Sequence, residues 1–367
     1  MYELNELPEL TDYSSLFLND VPMMDVRAPI EFKQGSFPMA TNVPLLDNAQ
    51  REQIGIRYKQ AGQDAAIDLG LALATSEVRA QRICGWKSYI EKYPQGALFC
   101  FRGGLRSRTT QRWLAEQGII YPRIKGGYKA MRRFLIETLE HACQHQSLIC
   151  ISGRTGSGKT DVLLQLRHYL DLEGRAHHRG STFGNTVYPQ PAQIDFENAV
   201  AIDFLKHAHY HSGVSLFIED ESRLIGRIAL PPNLQAAIKR APRVLLEEHE
   251  DAREQRVLRD YILVQREQFK RCYGADAAPR FASFVLDNLA RIEKRLGSER
   301  HDRIRAEWQA GLVEFENSGN AERFVPGIRC LLSEYYDPMY DYQITQRDSP
   351  ILWQGDAAGL VEWARSL

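Results

Sequence analysis

Two short stretches of this chain carry residues arranged to hold an oxyanion. The first is Cys100-Phe-Arg102-Gly103-Gly104-Leu-Arg106-Ser107, a thiol followed by glycines, arginines and a hydroxyl. A cysteine acts as a nucleophile when it is a thiolate, a state favoured where N–H dipoles and cations surround the sulfur. Gly103 and Gly104 allow the backbone to fold tightly with its N–H groups inward. Five residues separate Cys100 from Arg106. That C-x5-R-[ST] spacing lets a loop wrap a tetrahedral oxyanion while the arginine forks onto two of its oxygens. The second stretch is Gly153-Arg-Thr155-Gly156-Ser157-Gly158-Lys159-Thr160, a complete match to G-x-x-x-x-G-K-[ST]. Backbone N–H groups from Thr155 to Lys159 would surround a diphosphate there, Lys159 would reach its terminal oxygens, and Thr160 offers a ligand to magnesium. One stretch supplies a nucleophile and the other a diphosphate cradle.

The flanking sequence must place both loops. Val21–Val26 reads as a strand, Ala65–Tyr93 as helical, and Ala97–Cys100 as a short apolar strand running into the cysteine loop, with helix from Thr109 to Gln117. Tyr128–Gln146 reads as a long helix. Ser147–Ser152 is the strand entering the second loop, followed by a helix over Asp161–Leu172. Strand, anion loop, helix is the order in which loop amides and a helix N-terminus converge on an anion. Further strands are expected at Ser215–Ile218, Val244–Leu246 and Cys330–Tyr335, with helices over Asp251–Cys272, Phe281–Leu296, Ile304–Leu312 and near the C-terminus. Alternating strands and helices predict α/β architecture with a mostly parallel sheet. A length of 367 residues predicts two domains. They are placed at 1–130 and 148–367, joined by a linker helix over 131–147.

Formal net charge is −1, so nucleic-acid binding would require locally concentrated positive charge. Such a concentration exists between Cys100 and Arg133, where Arg102, Arg106, Arg108, Arg112, Arg123, Lys125, Lys129, Arg132 and Arg133 face the single acid Glu116. A solvated helix face plus one anion site is the competing account of this run. No apolar run approaches the roughly 18 residues of a membrane span, and the acidic start MYELNELPEL lacks the regions of a signal peptide. The six cysteines show no paired spacing and the histidines no zinc-like pattern. A cytoplasmic protein with free thiols and no protein-only metal site is expected.

Other polar groups remain open in role. Glu219 and Asp220, after an apolar strand, would serve a metal at the second loop, or would fix Arg223 or cap the next helix. His177-His-Arg179-Gly-Ser181-Thr-Phe-Gly184 is a substrate loop or a polar connection.

Asp25-Val-Arg27-Ala-Pro-Ile-Glu31-Phe32, with Gly35-Ser-Phe-Pro38 and Ala40-Thr-Asn42-Val-Pro44, resembles the N-terminal signature of rhodanese domains over roughly residues 10–130. Phe99 precedes Cys100 where cysteine phosphatases usually carry histidine. A rhodanese-like module fused to a P-loop module resembles the tRNA 2-selenouridine synthase family. Matching stretches include the two loops, His178-Arg-Gly-Ser181, Glu219-Asp-Glu-Ser-Arg223 and Tyr335-Tyr-Asp-Pro-Met-Tyr340. The resemblance implies a transferase that replaces sulfur by selenium in the wobble 2-thiouridine of the tRNAs for Lys, Glu and Gln. An S-geranyl intermediate, geranyl diphosphate and selenophosphate as co-substrates, and no tightly bound cofactor apart from an optional magnesium ion are implied with it. Lys159 would then face the geranyl diphosphate, Cys100 would handle selenium, and the basic segment would meet the anticodon region. The enzyme that makes selenophosphate is a further partner the resemblance suggests. The competing classes are a P-loop ATPase or kinase with a regulatory rhodanese or cysteine-phosphatase module, and a binding protein with a redox-sensing cysteine.

Overall fold

A computed structural model describes residues 7–345 and 347–367; the first six residues of the acidic N-terminal stretch lie outside them. The chain divides into two compact units, one of residues 1–142 with 192–210 and one of residues 143–191 with 211–367.

The first unit is built on a five-stranded parallel sheet. Its elements are β1 (Glu9–Leu10), α1 (Tyr13–Leu18), β2 (Met23–Asp25), α2 (Pro29–Lys33), β3 (Ala40–Asn42), α3 (Asn48–Leu73), α4 (Ser76–Lys92), β4 (Ala97–Phe99), α5 (Leu105–Ala115), β5 (Arg123–Ile124) and α6 (Gly127–His145). Strand order is β1-β5-β4-β2-β3. Every residue of β2 and β4 is buried, as expected for parallel strands covered on both faces. Cys100 follows the central strand β4, at the carboxyl edge where open α/β sheets hold ligands. Met24, Val26, Leu98, Trp86, Trp113 and Leu114 form one core cluster.

A buried ion pair fixes the carboxyl end of β2. The Arg27 guanidinium donates to Asp25 at 2.6–3.0 Å and to the Gly35 carbonyl at 2.9 Å. It also stacks 3.9 Å from the centre of the Tyr128 ring. Asn42 donates to the carbonyls of Asp25 and Arg27 at 3.0 and 2.8 Å, which ties β3 to the same corner.

The second unit carries its own five-stranded parallel sheet. It opens with β6 (Leu148–Ser152), α7 (Lys159–Leu163), β7 (Tyr169–Leu170) and α8 (Leu172–Arg175). The next helix, α9 (Gln193–Tyr210), belongs to the first unit. There Asp195 accepts from the Ser36 amide at 2.6 Å, and Asn198 donates to the Ser36 carbonyl at 2.6 Å. The second unit resumes with β8 (Leu216–Glu219), a hairpin of β9 (Leu224–Ile225) and β10 (Ile228–Ala229), α10 (Pro232–Arg240), β11 (Arg243–Leu246) and α11 (Glu250–Leu258). A helical layer follows: α12 (Val264–Tyr273), α13 (Ala277–Leu296), α14 (Ser298–Ser318), α15 (Val325–Leu331) and α16 (Asp337–Thr345). The chain ends with β12 (Ile351–Gly355) and α17 (Ala357–Arg365). Strand order is β12-β11-β6-β8-β7, which puts β6 and its loop at the centre.

Several elements depart from the sequence reading. The helix expected over Asp161–Leu172 stops at Leu163, because Leu170 leaves the helical path to pair with Ile218 on the edge strand β7. Cys330–Tyr335, expected as a strand, is helical, spanning α15 and a π-helical turn at Leu332–Tyr336. A short apolar run does not by itself distinguish a strand from a buried helix. The helical stretch ending at Tyr93 is two helices, divided where Thr75 caps α4 by accepting from the Val78 amide at 3.3 Å. The helix behind the cysteine loop starts at Leu105, four residues ahead of the expected Thr109. Residues 131–147, expected as a linker, fall largely within α6, which belongs to the first unit through Ala142.

Arg27→Met would leave Asp25 buried without its partner, and we expect the variant to lose about 3–5 kcal/mol of stability in denaturant unfolding at neutral pH. Burial already raises the Asp25 pKa despite Arg27. Without the cation the carboxyl is driven further toward its neutral form, so the deficit should shrink as pH falls and Asp25 takes up its proton.

Candidate functional site

The cysteine loop spans the gap between β4 and α5. Cys100 is buried and its thiol donates to the Ser107 hydroxyl at 3.3 Å; that hydroxyl donates to the Gly104 carbonyl at 3.1 Å. Gly103 sits at φ +64°, and a Cβ there would lie 2.8 Å from the Gly126 amide nitrogen. Three carbonyls of this loop are held by donors from neighbouring elements. Cys100 and Phe101 carbonyls accept from the amides of Tyr128 and Lys129 at 2.9 Å, and the Gly103 carbonyl accepts from Arg123 at 3.0 Å. The amides of Arg102, Gly103 and Gly104 have no backbone acceptor among the described residues. Three loop amides are thus left without a backbone acceptor at a helix N-terminus, an arrangement suited to an anion.

Arg106, expected to fork onto an oxyanion, spans Glu31 with contacts of 2.5 and 3.1 Å. Burial alone would raise the Glu31 pKa, but the Arg106 guanidinium outweighs it and holds the carboxyl below its ordinary range. Cys150 offers a contrast within the other unit. It is fully buried at mid-strand, and burial pushes its thiol up to about 12.

Not all nine cations of the basic run remain available. Arg123 pairs with Glu9, Arg132 with Glu197 and Asn198, and Arg133 with Glu137. Arg112 lies 3.6 Å from Glu116. Arg102, Arg108, Lys125 and Lys129 are exposed and form no ion pair among the described residues.

The second loop leaves β6 and enters α7. Gly156 and Gly158 adopt φ +81° and +88°, the left-handed region that favours glycine. Here too cations hold three of the carbonyls. Lys159 donates to Gly153 at 2.7 Å, Arg253 to Thr155 at 2.9 Å and Arg256 to Gly156 at 2.6 Å. Arg253 is itself clamped by Asp337 at 2.5 and 2.9 Å, and Arg256 by Glu248 at 3.0 Å. The amides of Gly156 and Gly158 have no backbone acceptor among the described residues. Ser157 is buried, and its hydroxyl has no partner among the described atoms.

A cleft of about 1250 Å³ opens over this loop. The His178-Arg179-Gly-Ser181 segment lines it, held by an Arg179–Asp260 ion pair of 2.8 Å and a Ser181–Tyr261 hydrogen bond of 2.8 Å. Thr160 donates to Glu173 at 3.1 Å. Glu173 and Glu221 share a hydrogen bond; burial raises both carboxyls, and Glu173 pushes Glu221 further, well above its ordinary value. The two acids singled out in the sequence divide differently. Glu219 is fully buried, receives the Leu172 amide at 2.8 Å and is held largely protonated by burial and by Glu173. Asp220 accepts from Ser152 and pairs with Arg347. Arg223 lines the cleft without pairing to either.

Chain similarity now bears on this geometry. A family model for the tRNA 2-selenouridine synthase AAA domain matches residues 146–367. The chain is 49% identical over 98% of its length to tRNA 2-selenouridine synthase of Marinobacter nauticus, covering 98% of that protein. It is 46% identical to the Hahella chejuensis protein of the same name (96% of this chain, 93% of that one) and 47% identical to that of Pseudomonas syringae pv. syringae (97% of each). The chain belongs to the tRNA 2-selenouridine synthase family. For this tRNA 2-selenouridine synthase family member, the matched segment starts two residues before β6 and takes in the whole P-loop cleft. Sequence reasoning found both loops but missed Glu173, Glu221, Arg253, Arg256 and Arg347. Arg253 and Arg256 are spaced i, i+3 on the first helix after β11, a signal that two cations share one helix face.

Because Glu221 is held protonated in the fold but ionises freely when unfolded, it favours folding at low pH and loses that contribution as pH rises through its raised pKa. Thermal unfolding of Glu221→Gln should therefore show a smaller stability loss between mildly acidic and alkaline pH than the parent. Parallel pH profiles for the two proteins would contradict the shared-proton reading.

Proposed function

We propose that this protein replaces the sulfur of 2-thiouridine in tRNA by selenium, in two chemical steps served by its two anion loops. The observation carrying this reading is that each loop has carbonyls held by neighbouring donors and amides left without a backbone acceptor, one beside a thiol and the other beside Lys159 and Thr160. The first unit is read as a rhodanese-like domain.

A thiocarbonyl sulfur is a poor leaving group; alkylation converts it into one that departs as a thiolate. In the first step the thiocarbonyl sulfur attacks geranyl diphosphate and inorganic diphosphate leaves. Gly153, Thr155, Gly156 and Gly158 supply the amide cradle, Ser157 offers its unpartnered hydroxyl, and Lys159 meets the charge that develops on the departing group. A magnesium ion would be held by Thr160 and the diphosphate itself, and would supply further charge neutralisation when bound. Glu173, already bonded to the Thr160 hydroxyl, suits that position better than Glu219, whose contacts point into the protein.

In the second step selenophosphate binds the cysteine loop through Arg102, Gly103, Gly104 and Ser107, with Cys100 beside the transferring selenium. Arg106, anchored by Glu31, lends positive charge. Selenium replaces the S-geranyl group at C2. The exposed cations Arg102, Arg108, Lys125 and Lys129 are suited to neutralise phosphates around the anticodon.

Incubation with 2-thiouridine tRNA, geranyl diphosphate and selenophosphate, followed by nucleoside mass spectrometry, tests the division. Lys159→Ala should slow geranylation by about 10²–10³-fold, while Cys100→Ala should retain geranylation and lose selenation. Loss of both steps in both variants would contradict it. Replacing Arg108 and Lys129 together should weaken tRNA binding and lower the salt slope by about one per lost phosphate contact, measured by filter binding across salt concentrations.

A further inference from the structure

The cysteine loop opens onto a second feature that the anion chemistry does not use. A cleft of about 980 Å³ runs from Cys100 and Arg106 along α3, within the first unit. Its walls are apolar, formed by Leu45, Ile54, Tyr58, Ile67, Leu71 and Trp113. Helix α3 is an odd partner for a core. It spans 26 residues, yet Ala66 alone among them is buried, while Tyr58 and Leu71 are 56% and 63% exposed. A helix of this length in a globular domain normally buries an apolar stripe. Here the apolar residues line an open trough. One further observation shows that the trough is roomy: Gly55, on the cleft wall, has nothing within 4 Å of where a Cβ would stand. The volume lies within the ~300–1,000 Å³ typical of small-molecule sites.

The polar end of the cleft limits what fits. An occupant must place a reacting atom at the cysteine loop and extend an apolar tail along α3. We infer that the α3 cleft seats the prenyl chain of S-geranylated uridine while its sulfur is displaced. The inference rests on the two-step reading above and adds to it a chain-recognition site in the first unit. In the displacement a C2–Se bond forms and the C2–S bond breaks. Sulfur leaves with the electron pair as geranylthiolate, which takes a proton from water. Water then opens the P–Se bond to give phosphate and the selenocarbonyl, so no oxidant or reductant is needed. Holding the tail positions C2 and keeps the departing thiolate from water until the bond is broken.

Two measurements on the full chain test this. In the first, single-turnover selenation with selenophosphate is compared for tRNA carrying S-geranyl-2-thiouridine and S-methyl-2-thiouridine. The parent should prefer the geranyl substrate by at least about 100-fold, the equivalent of burying only three to four of its additional carbons at roughly a factor of four each. Gly55→Phe fills the trough at a position where a side chain favours the helix. It should cut the geranyl rate at least about tenfold and leave the methyl rate unchanged. Equal effects on both substrates, or none on either, would overturn the inference. In the second, an S-geranyl-2-thiouridine nucleoside with a diazirine at the end of its prenyl chain is photolysed with the protein. Labels should fall between Leu45 and Val78 and diminish in Gly55→Phe. Labelling needs no turnover. Labels in that segment from a parent that converts neither tRNA would refute the two-step reading and leave the prenyl cleft standing. Labels confined to other segments would overturn the cleft and leave the two-step reading intact.

Discussion

The structure depends on one constraint: a loop that binds an anion through its amides must have its carbonyls satisfied elsewhere. A buried carbonyl without a partner is costly, and one that turns inward would repel the ligand. Both loops meet the constraint in the same way, with donors behind the loop. The cysteine loop uses the first amides of α6 together with Arg123. The P-loop uses Arg253 and Arg256, while Lys159, part of the cleft wall, holds the Gly153 carbonyl. These donors have anchors of their own: Glu9 holds Arg123, Asp337 clamps Arg253 and Glu248 clamps Arg256. Each site is therefore set by a layer of ion pairs one step removed from the ligand. Gly126-Gly127 matters for the same reason, since a Cβ at Gly127 would lie 2.6 Å from the Gly103 amide nitrogen and push α6 off the loop.

Charge around the P-loop is arranged with the opposite sign on its far side. Glu173, Glu219 and Glu221 crowd together; burial raises all three carboxyls, and Glu173 pushes Glu219 and Glu221 well above their ordinary range. A dianionic or trianionic ligand would find Lys159 and loop amides on one side and carboxyls of raised pKa on the other, which lessens the repulsion the acids impose. They remain available to respond when charge at the site changes. The Thr160–Glu173 hydrogen bond links that response directly to the P-loop.

Much of this was legible in the sequence, because local chemistry specifies it. The two loops, the apolar strands before them and the parallel architecture follow from Cys100–Ser107, Gly153–Thr160 and short buried runs such as Leu-Ile-Cys-Ile-Ser at 148–152. What was not legible depends on long-range contacts. Leu170 fits a helical period with Leu163 and Leu166, and is taken by an edge strand only because β8 is available to pair with it. Cys330–Tyr335 opens on a short apolar run that a buried strand would also show, but it lies in a helical layer. Asp337 reads as part of an aromatic tail and turns out to clamp Arg253, 84 residues away. Arg106 and Glu31, 75 residues apart, form a pair that no spacing rule suggests.

The central claim is that the two loops bind different anions. Hydrogen–deuterium exchange of the full chain reads this directly, using inorganic diphosphate as one ligand and thiophosphate as a stable analogue of selenophosphate as the other. Diphosphate should protect the amides from Gly153 to Thr160 and leave Cys100 to Ser107 unchanged, and thiophosphate should do the reverse. Protection of the same loop by both ligands, or of the cysteine loop by diphosphate, would contradict the account.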